Sequence, residues 1–134
     1  MRIIIFSTLL SLSLFAQNYL IGFAQDTMAN DFRKAQVEEV RVALENKAHI
    51  NFVYTDAKAQ TSMLIYQIED FIAKKVDVLI VGTNDENAIV PSLQKAYDAN
   101  IPVIIVDRGV NTQSYTTFIN SDNVKMGQIG AEFI

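Results

Sequence analysis

The sequence predicts an α/β fold built on a doubly wound parallel sheet. Short, almost wholly apolar runs alternate along the chain with longer segments whose apolar residues recur every three or four positions. Such apolar runs are typical of strands buried on both faces of a parallel sheet, and the periodic segments are typical of the helices that cover those faces. Because parallel strands are joined by right-handed crossovers, an open doubly wound sheet is the simplest arrangement for this alternation.

Five strands and four helices are predicted after residue 16. The strands are residues 19–24, 50–54, 76–81, 101–106 and a shorter one at 115–119. The first helix runs from 31 to about 47, the second precedes the third strand, the third precedes the fourth strand, and another begins at 124. Lys74 and Lys75 lie near the end of the second helix, where positive charge is favoured. Pro91 predicts that the third helix becomes regular only late, since proline is tolerated in a first turn.

Composition and charge exclude several classes of function. The chain has 134 residues, room for one domain, with 11 Lys and Arg against 15 Asp and Glu and a net charge of −4. An acidic chain without a basic cluster is not expected to bind nucleic acid. The absence of cysteine excludes disulfides, thiolate chemistry and cysteine metal sites.

The first 16 residues resemble a secretory signal peptide. Arg2 gives a positive start, residues 3–15 are almost wholly apolar, and Ala16 offers a small residue for cleavage. The alternative is an uncleaved membrane anchor, although roughly 20 apolar residues are needed to span a bilayer. We therefore expect an exported protein, periplasmic or otherwise extracytoplasmic, with its folded domain over 17–134. Residue 134 falls inside an apolar helical segment, so we expect a truncated chain.

Polar residues follow three of the predicted strands, where an open parallel sheet binds its ligands. They occupy 25–33 after the first strand, 82–85 after the third and 107–109 after the fourth. Charged and amide groups suit the hydroxyls of a sugar, which both donate and accept hydrogen bonds, and an aromatic ring suits the C–H face of a sugar. The pattern predicts a site for a small polyhydroxylated ligand.

Each candidate also has a purely structural interpretation. Asp107 and Arg108 could form a surface ion pair with each other, Phe32 could belong to the core, and Arg33 could lie on the solvent face of its helix.

Other polar residues are expected in structural roles. Asn84 and Asp85 are better explained as cap or turn residues than as ligand contacts, and Asp122 as the cap of the last helix. His49, the only histidine, is expected at the surface, at the end of the sheet opposite the site.

Signals for catalysis are missing from the sequence. There is no G-x-G-x-x-G, phosphate loop or G-x-S-x-G, and a single histidine without cysteine cannot supply a conventional nucleophile pair together with metal ligands. A mechanism with paired acids stays open, although the carboxylates are scattered. We predict no enzyme, no cofactor and no metal.

Four stretches resemble the type I periplasmic sugar-binding family, in particular its ribose- and galactofuranose-binding proteins. Residues 100–108 (NIPVIIVDR) are similar to the family's "AxIPVxxxDR", 76–81 to its "VDAIII" strand, 88–96 to its "ALVPALKKA" helix, and 120–123 to the "SDN" segment before the next helix. The resemblance covers the whole chain after residue 16. It implies the flavodoxin-like strand order 2-1-3-4-5 and the first lobe of a two-lobed fold whose second lobe is absent here.

The same resemblance implies a set of ligand contacts. Residues 31–33 resemble the "xWR" of galactofuranose-type members, with Phe in place of Trp, and Asn30 falls where ribose-type members keep an asparagine. Phe32 would stack on the sugar, while Arg33 and the Asp-Arg pair would bind its hydroxyls. The implied ligand is a hexose or pentose, and the implied contacts are Asn30, Asp31, Phe32, Arg33, Asp107 and Arg108.

The leading functional hypothesis is the substrate-capture component of an ABC-type sugar importer. It would close its two lobes on a monosaccharide, dock on a membrane permease and act as a monomer. The alternative is a periplasmic sensor domain of a signalling kinase or chemotaxis system that binds a sugar or an autoinducer. A transcription repressor's effector core is disfavoured because the signal peptide occupies the place of a DNA-binding segment, and an exported enzyme should show turnover or a bound cofactor.

Overall fold

The computed structural model describes residues 17–134, so the predicted signal peptide lies outside the described residues. Five strands and four helices make up this part of the chain, and they alternate except that the last two strands follow each other directly. In chain order they are β1 Tyr19–Gln25, α1 Asp31–Leu44, β2 Ile50–Asp56, α2 Thr61–Ala73, β3 Val78–Gly82, α3 Val90–Asp98, β4 Val103–Val106, β5 Thr117–Ile119 and α4 Asn123–Glu132.

The five strands form one parallel sheet in the order β2-β1-β3-β4-β5. This order confirms the predicted doubly wound topology. The chain moves outward from β1 to β2 and then returns past β1 to β3, so the connections after β1 and β3 leave in opposite directions. The register pairs Gln25, the last residue of β1, with Gly82, the last residue of β3.

The sheet has an unequal core on its two faces. Helices α2 and α3 bury the larger cluster, in which Leu64, Ile68 and Leu93 pack with strand residues such as Leu79 and Ile105. Helix α1 covers the other face with a smaller cluster of Phe23, Val37 and Ile80. Strand residues point alternately to the two faces, so both clusters are built from the same short apolar runs.

Strands β3 and β4 begin two residues later than the sequence predicts, because the preceding helices use those residues to end. The N–H of Val76 donates to the carbonyl of Phe71 at 3.3 Å, and that of Ile101 donates to Ala96 at 3.0 Å. Lys75 and Asn100, one position earlier, have φ of 54° and 56°. This is the Schellman motif, in which a left-handed residue is followed by an apolar residue that packs back on the helix. Val76 and Ile101 are therefore buried caps.

The ends of the last two helices agree with the sequence-based expectations. Pro91 lies in the first turn of α3, which becomes regular at Val90. The Asp122 side chain caps α4 by accepting a hydrogen bond from the N–H of Lys125 at 2.9 Å.

His49 is exposed, as expected. Among residues 17–134, no helix has both the length and the apolar character needed to cross a bilayer.

Two residues of α3 test which side of the helix carries the stability of the domain. Leu93 is 0% exposed whereas Tyr97, one turn later, is 58% exposed. We expect Leu93→Ala to lower the free energy of unfolding by about 2–5 kcal/mol because it leaves a cavity. Tyr97→Ala should change it by less than about 0.5 kcal/mol. Urea unfolding followed by circular dichroism measures both, and equal midpoints for the two variants would contradict this core.

Candidate functional site

Three loops meet at the carboxyl edge of the sheet, beside the switch in strand order. They follow β1, β3 and β4 and contribute Asp26, Asn84 and Asp107, and the start of α1 adds Arg33. Asn30 begins that helix, since its side-chain oxygen accepts a hydrogen bond from the N–H of Arg33 at 2.9 Å. This cap places Arg33 on the first turn of α1, above the strand ends.

Arg33 is buried, with 3% of its surface exposed, between two carboxylates. Its Nη1 lies 3.0 Å from Oδ1 of Asp26, and its Nη2 lies 3.1 Å from Oδ2 of Asp107. The alternative that placed Arg33 on the solvent face of its helix is therefore wrong. So is the alternative that paired Asp107 with Arg108, because the ion-pair partner of Asp107 is Arg33.

Further acceptors surround the same guanidinium. Nη2 of Arg33 donates to the side-chain oxygen of Asn84 at 3.0 Å and lies 3.4 Å from the carbonyl of Thr83. Nη1 also lies 3.3 Å from Oε1 of Gln25. One side chain on α1 thus joins the ends of β1, β3 and β4, and its Nη donors are engaged by protein acceptors.

Burial raises the pKa of Asp26, one of the two carboxylates that bind Arg33. Removal from water raises the pKa of Asp26 above its ordinary value of 3.8, while the charges of Arg33 and Arg108 and backbone N–H donors act in the opposite direction. The Asn84 amide also donates to the Asp26 carboxylate. Asp26 is thus a buried acid that depends on Arg33 for its charge partner.

Asp107 connects the buried cluster to solvent. Its side chain is 26% exposed although one oxygen binds Arg33. Its φ of 69° lies in the left-handed region, which aspartate tolerates better than most residues, and its N–H donates to the carbonyl of Ile119 at 2.8 Å. This backbone turns the carboxylate back over the sheet edge, where it lines the open surface.

Two open clefts meet at Asp107. The larger, of about 620 Å³, is polar and is lined by Asn84, Asp85, Glu86, Asp107, Arg108, Gly109, Phe118, Asn120 and Asn123. The smaller, of about 380 Å³, is mostly apolar and includes Phe32, Gln36, Val40 and Val106. Phe32 is 56% exposed, so the alternative that assigned it to the core is wrong. Polar groups and an exposed aromatic ring are therefore placed on either side of one carboxylate.

The remaining predicted residues lie in three places: the polar cleft, the first turn of α1, and the turn after β3. Arg108 is exposed and lines the polar cleft. Asp31 is exposed on the first turn of α1. Asp85 is a turn residue, as expected, because its Oδ1 accepts hydrogen bonds from the N–H groups of Asn87 and Ala88, which lower its pKa.

Gln25 and Asp26 lie in the segment predicted to follow the first strand, but neither was predicted to have a role there. The expectation that Asn84 is a cap or turn residue is wrong, because its side chain binds Arg33 and Asp26. All three belong to the cluster around Arg33, and the only signal in the sequence is that each lies at or just after the end of a strand. Within residues 17–134 no three potential ligands come together as a metal site.

The ion-pair cluster predicts a large loss of stability when Arg33 is replaced. Arg33→Met keeps the length of the side chain but leaves Asp26 and Asp107 without their cation, so the free energy of unfolding should fall by about 3–5 kcal/mol at pH 7. Arg41→Met is the matched control, because Arg41 pairs with Glu38 on the exposed face of the same helix. It should cost less than about 1 kcal/mol.

The loss should also depend on pH. Without Arg33 the pKa of Asp26 rises further, so the folded variant binds more protons than the unfolded chain above pH 3.8. The free energy of unfolding of Arg33→Met therefore falls as pH rises through the raised pKa of Asp26. The difference in stability between the wild type and this variant should shrink on acidification. Urea unfolding between pH 4.5 and 7 measures this trend, and a deficit that does not depend on pH would argue against a buried charge.

Known proteins share this fold and sequence pattern. The family model described as periplasmic binding protein domain matches residues 21–134. The ribose import binding protein of Bacillus subtilis (strain 168) is 27% identical over 118 residues, which cover 88% of this chain and 38% of that protein.

Two solved structures superimpose on most of the chain. The binding protein of the arabinose ABC transporter of Shewanella sp. ANA-3 has a TM-score of 0.77 and 30% identity, covering 85% of this chain and 39% of its own. The fructose-binding periplasmic domain of a hybrid two-component system has a TM-score of 0.78 and 26% identity, and the match covers 87% of this chain and 38% of that structure. The chain thus spans well under half the length of the proteins it resembles. With the fold, the strand order and the family model in agreement, the chain belongs to the periplasmic binding protein domain family and has the fold of the first lobe of a type I member.

Proposed function

We propose that the complete protein, of which this chain forms one lobe, binds a monosaccharide, a hexose or pentose, outside the cytoplasm and is not an enzyme. The observation that carries the proposal is the position of Asp107, whose carboxylate is held by Arg33 and lines both a polar cleft and a cleft with an exposed phenylalanine. A sugar presents hydroxyl groups around its rim and C–H groups on its face, so it needs both kinds of surface side by side.

Each group has a proposed role in the bound state. Asp107 accepts hydrogen bonds from sugar hydroxyls, and Arg108 and the Asn84 amide lie in the same cleft as donors. Phe32 covers the C–H face of the ring. Arg33 keeps its place in the proposed site as the buried cation that holds Asp107 and Asn84, with Asn30 and Asp31 at the start of its helix. Hydrogen bonds to charged groups contribute about 1.5–3 kcal/mol each, so two or three of them fix the orientation of a monosaccharide.

The mechanism that fits this geometry is closure of two lobes on the ligand. Both clefts are open to solvent, so a sugar resting on them is enclosed from one side only. Other sugar receptors with this fold are more than twice as long as this chain. A second lobe that closes over the carboxyl edge would supply the remaining contacts and exclude water. This chain by itself holds half of such a site and is expected to bind weakly or not at all.

Delivery of the sugar to the membrane permease of an ABC-type importer is the proposed biological role. The related ribose import protein and the arabinose transporter component support it. A sensor domain for a signalling kinase or chemotaxis system is the second candidate, supported by the similar fructose-binding domain of a hybrid two-component system. A sensor of the kinase type continues into a membrane-spanning helix and a cytoplasmic signalling domain, whereas a capture protein ends after its second lobe.

Sugar binding is tested by a thermal-shift screen of the mature protein, extended to include its second lobe, against pentoses and hexoses. A sugar at about 100 times its dissociation constant should raise the free energy of unfolding by about 2.7 kcal/mol. Asp107→Asn should remove most of that gain, because the amide keeps the left-handed backbone but loses the charge that accepts hydroxyl hydrogens. Asp98→Asn, at the far end of α3, is the control and should respond as the wild type does. No shift with any pentose or hexose would reject a monosaccharide ligand.

Stacking by Phe32 is tested separately from stability. Because the side chain is 56% exposed, Phe32→Ala should leave the melting temperature of the unliganded protein nearly unchanged. Sugar affinity should fall about three- to tenfold through loss of the aromatic surface, and Phe32→Trp should retain it. Isothermal titration with the sugar identified in the screen measures both variants. An unchanged affinity for Phe32→Ala would place the ligand in the polar cleft alone.

A further inference from the structure

Gln25 is a fully buried amide that makes four hydrogen bonds. Its Oε1 accepts from Nη1 of Arg33 at 3.3 Å and from the N–H of Asp26 at 3.2 Å. Its Nε2 donates to the carbonyl of Arg33 at 3.3 Å and to Oε1 of Gln36 at 3.1 Å. The amide therefore binds both the backbone and the side chain of Arg33, and a buried amide with these partners has few other positions.

Gly82 supplies the space that this amide occupies. It lies beside Gln25 in the sheet register, and a Cβ on it would stand 2.1 Å from Oε1 and 2.9 Å from Cδ of Gln25. Contacts this short do not occur between real atoms, so any side chain at position 82 would displace the amide. The glycine is needed here for room rather than for an unusual backbone angle.

The contacts of Gln25 extend to both clefts. Arg33, which it holds, binds Asp107 and Asn84 of the polar cleft. Gln36, which it also binds, lines the apolar cleft with Phe32. A displaced Gln25 would remove one hydrogen bond from the guanidinium and another from Gln36, which lines the apolar cleft.

We propose that Gln25 and Gly82 are positioning residues for sugar binding, which fix Arg33 and through it the carboxylate of Asp107. This inference rests on the proposed function, since the affinity it explains is affinity for a sugar. Neither residue touches the ligand. Their effect is to keep the acceptor oxygens of the polar cleft in one arrangement before the sugar arrives, so that little ordering is needed on binding.

The test compares Gly82→Ala, Gln25→Ala and the double variant in the protein extended to include its second lobe. Gly82→Ala should lower the melting temperature and weaken sugar binding about tenfold or more, the effect of one lost hydrogen bond to a charged group. In the double variant the new methyl group fills the space left by the amide, so the melting temperature should recover to that of Gln25→Ala. Sugar affinity should stay low, because Arg33 still lacks the hydrogen bonds that Gln25 makes to its guanidinium and its carbonyl.

Gly22→Ala is the matched control. Gly22 lies on β1, the strand that also carries Gln25. A Cβ on Gly22 would stand 3.0 Å from the ring of Phe71, away from Arg33. It should lose stability and keep its affinity for sugar. Recovery of affinity together with melting temperature in the double variant, or an affinity of Gly82→Ala within about twofold of the wild type, would overturn the positioning role. If Gly82→Ala does not fold, Gln25→Ala and the double variant decide the question in the same way.

A readout that needs no sugar separates this inference from the proposed function. The Nη–H groups of Arg33, which donate its hydrogen bonds, give NMR signals whose exchange with water reports how firmly the guanidinium is held. Slow exchange in the wild type and in Gly22→Ala, with fast exchange in Gln25→Ala and Gly82→Ala, supports the positioning role. Equal exchange in all four overturns it. Loss of sugar binding in the wild type itself would instead reject the proposed function, and the exchange data would still judge the role of Gln25.

Discussion

The guanidinium of Arg33 is held between two carboxylates that lie in the loops after two different strands, β1 and β4, and the geometry of the carboxyl edge follows from that contact. Removing a charged side chain from water is costly, and only close opposite charges and satisfied hydrogen bonds offset the cost. Asp26, Asp107 and Asn84 meet this requirement together. The loops after β1, β3 and β4 are therefore not independent, because each must bring its acceptor to the same cation.

Such a cluster is a weak source of net stability, since apolar residues of similar volume often stabilise a core as well. The main effect of the cluster is to restrict where the partners of Arg33 can lie. An apolar contact tolerates small shifts, whereas a planar guanidinium with four N–H groups on its two terminal nitrogens accepts partners only in certain directions. The sheet supplies the frame for this restriction, because parallel strands β1, β3 and β4 end at one edge. A rigid arrangement of acceptors at that edge is what a small polar ligand requires.

The fold was predictable because its signals are local and repeated. The apolar runs and the periodic segments between them establish a parallel α/β sheet, and the family resemblance adds the strand order that the structure confirms. The starts of β3 and β4 were not predictable in the same way. Val76 and Ile101 are as apolar as the strands that follow them, and only the left-handed residues before them reveal their role as helix caps.

The site was predictable only in part, and the reason is burial. Arg33, Phe32 and Asp107 were identified by resemblance to a family, but a charged residue at the start of a helix gives no sign of whether it is buried. Arg33 proved to be enclosed and Phe32 exposed, the reverse of what their chemistry suggests in isolation. Asp26 and Gln25 carry no motif at all, because their importance arises from a cation that lies seven and eight residues further along the chain.

The left-handed backbone at Asp107 limits how the proposed sugar site can change its ligand preference by mutation. At a φ of 69°, the side chains that fit without strain are mainly aspartate, asparagine and glycine. Most other residues at this position would cost about 1–2 kcal/mol, and nearly all of them lose the negative charge. Phe32 is exposed on a regular helix, where nearly any amino acid is tolerated. In the proposed site, new ligand preferences are therefore expected from variation at position 32, with Asp107 unchanged.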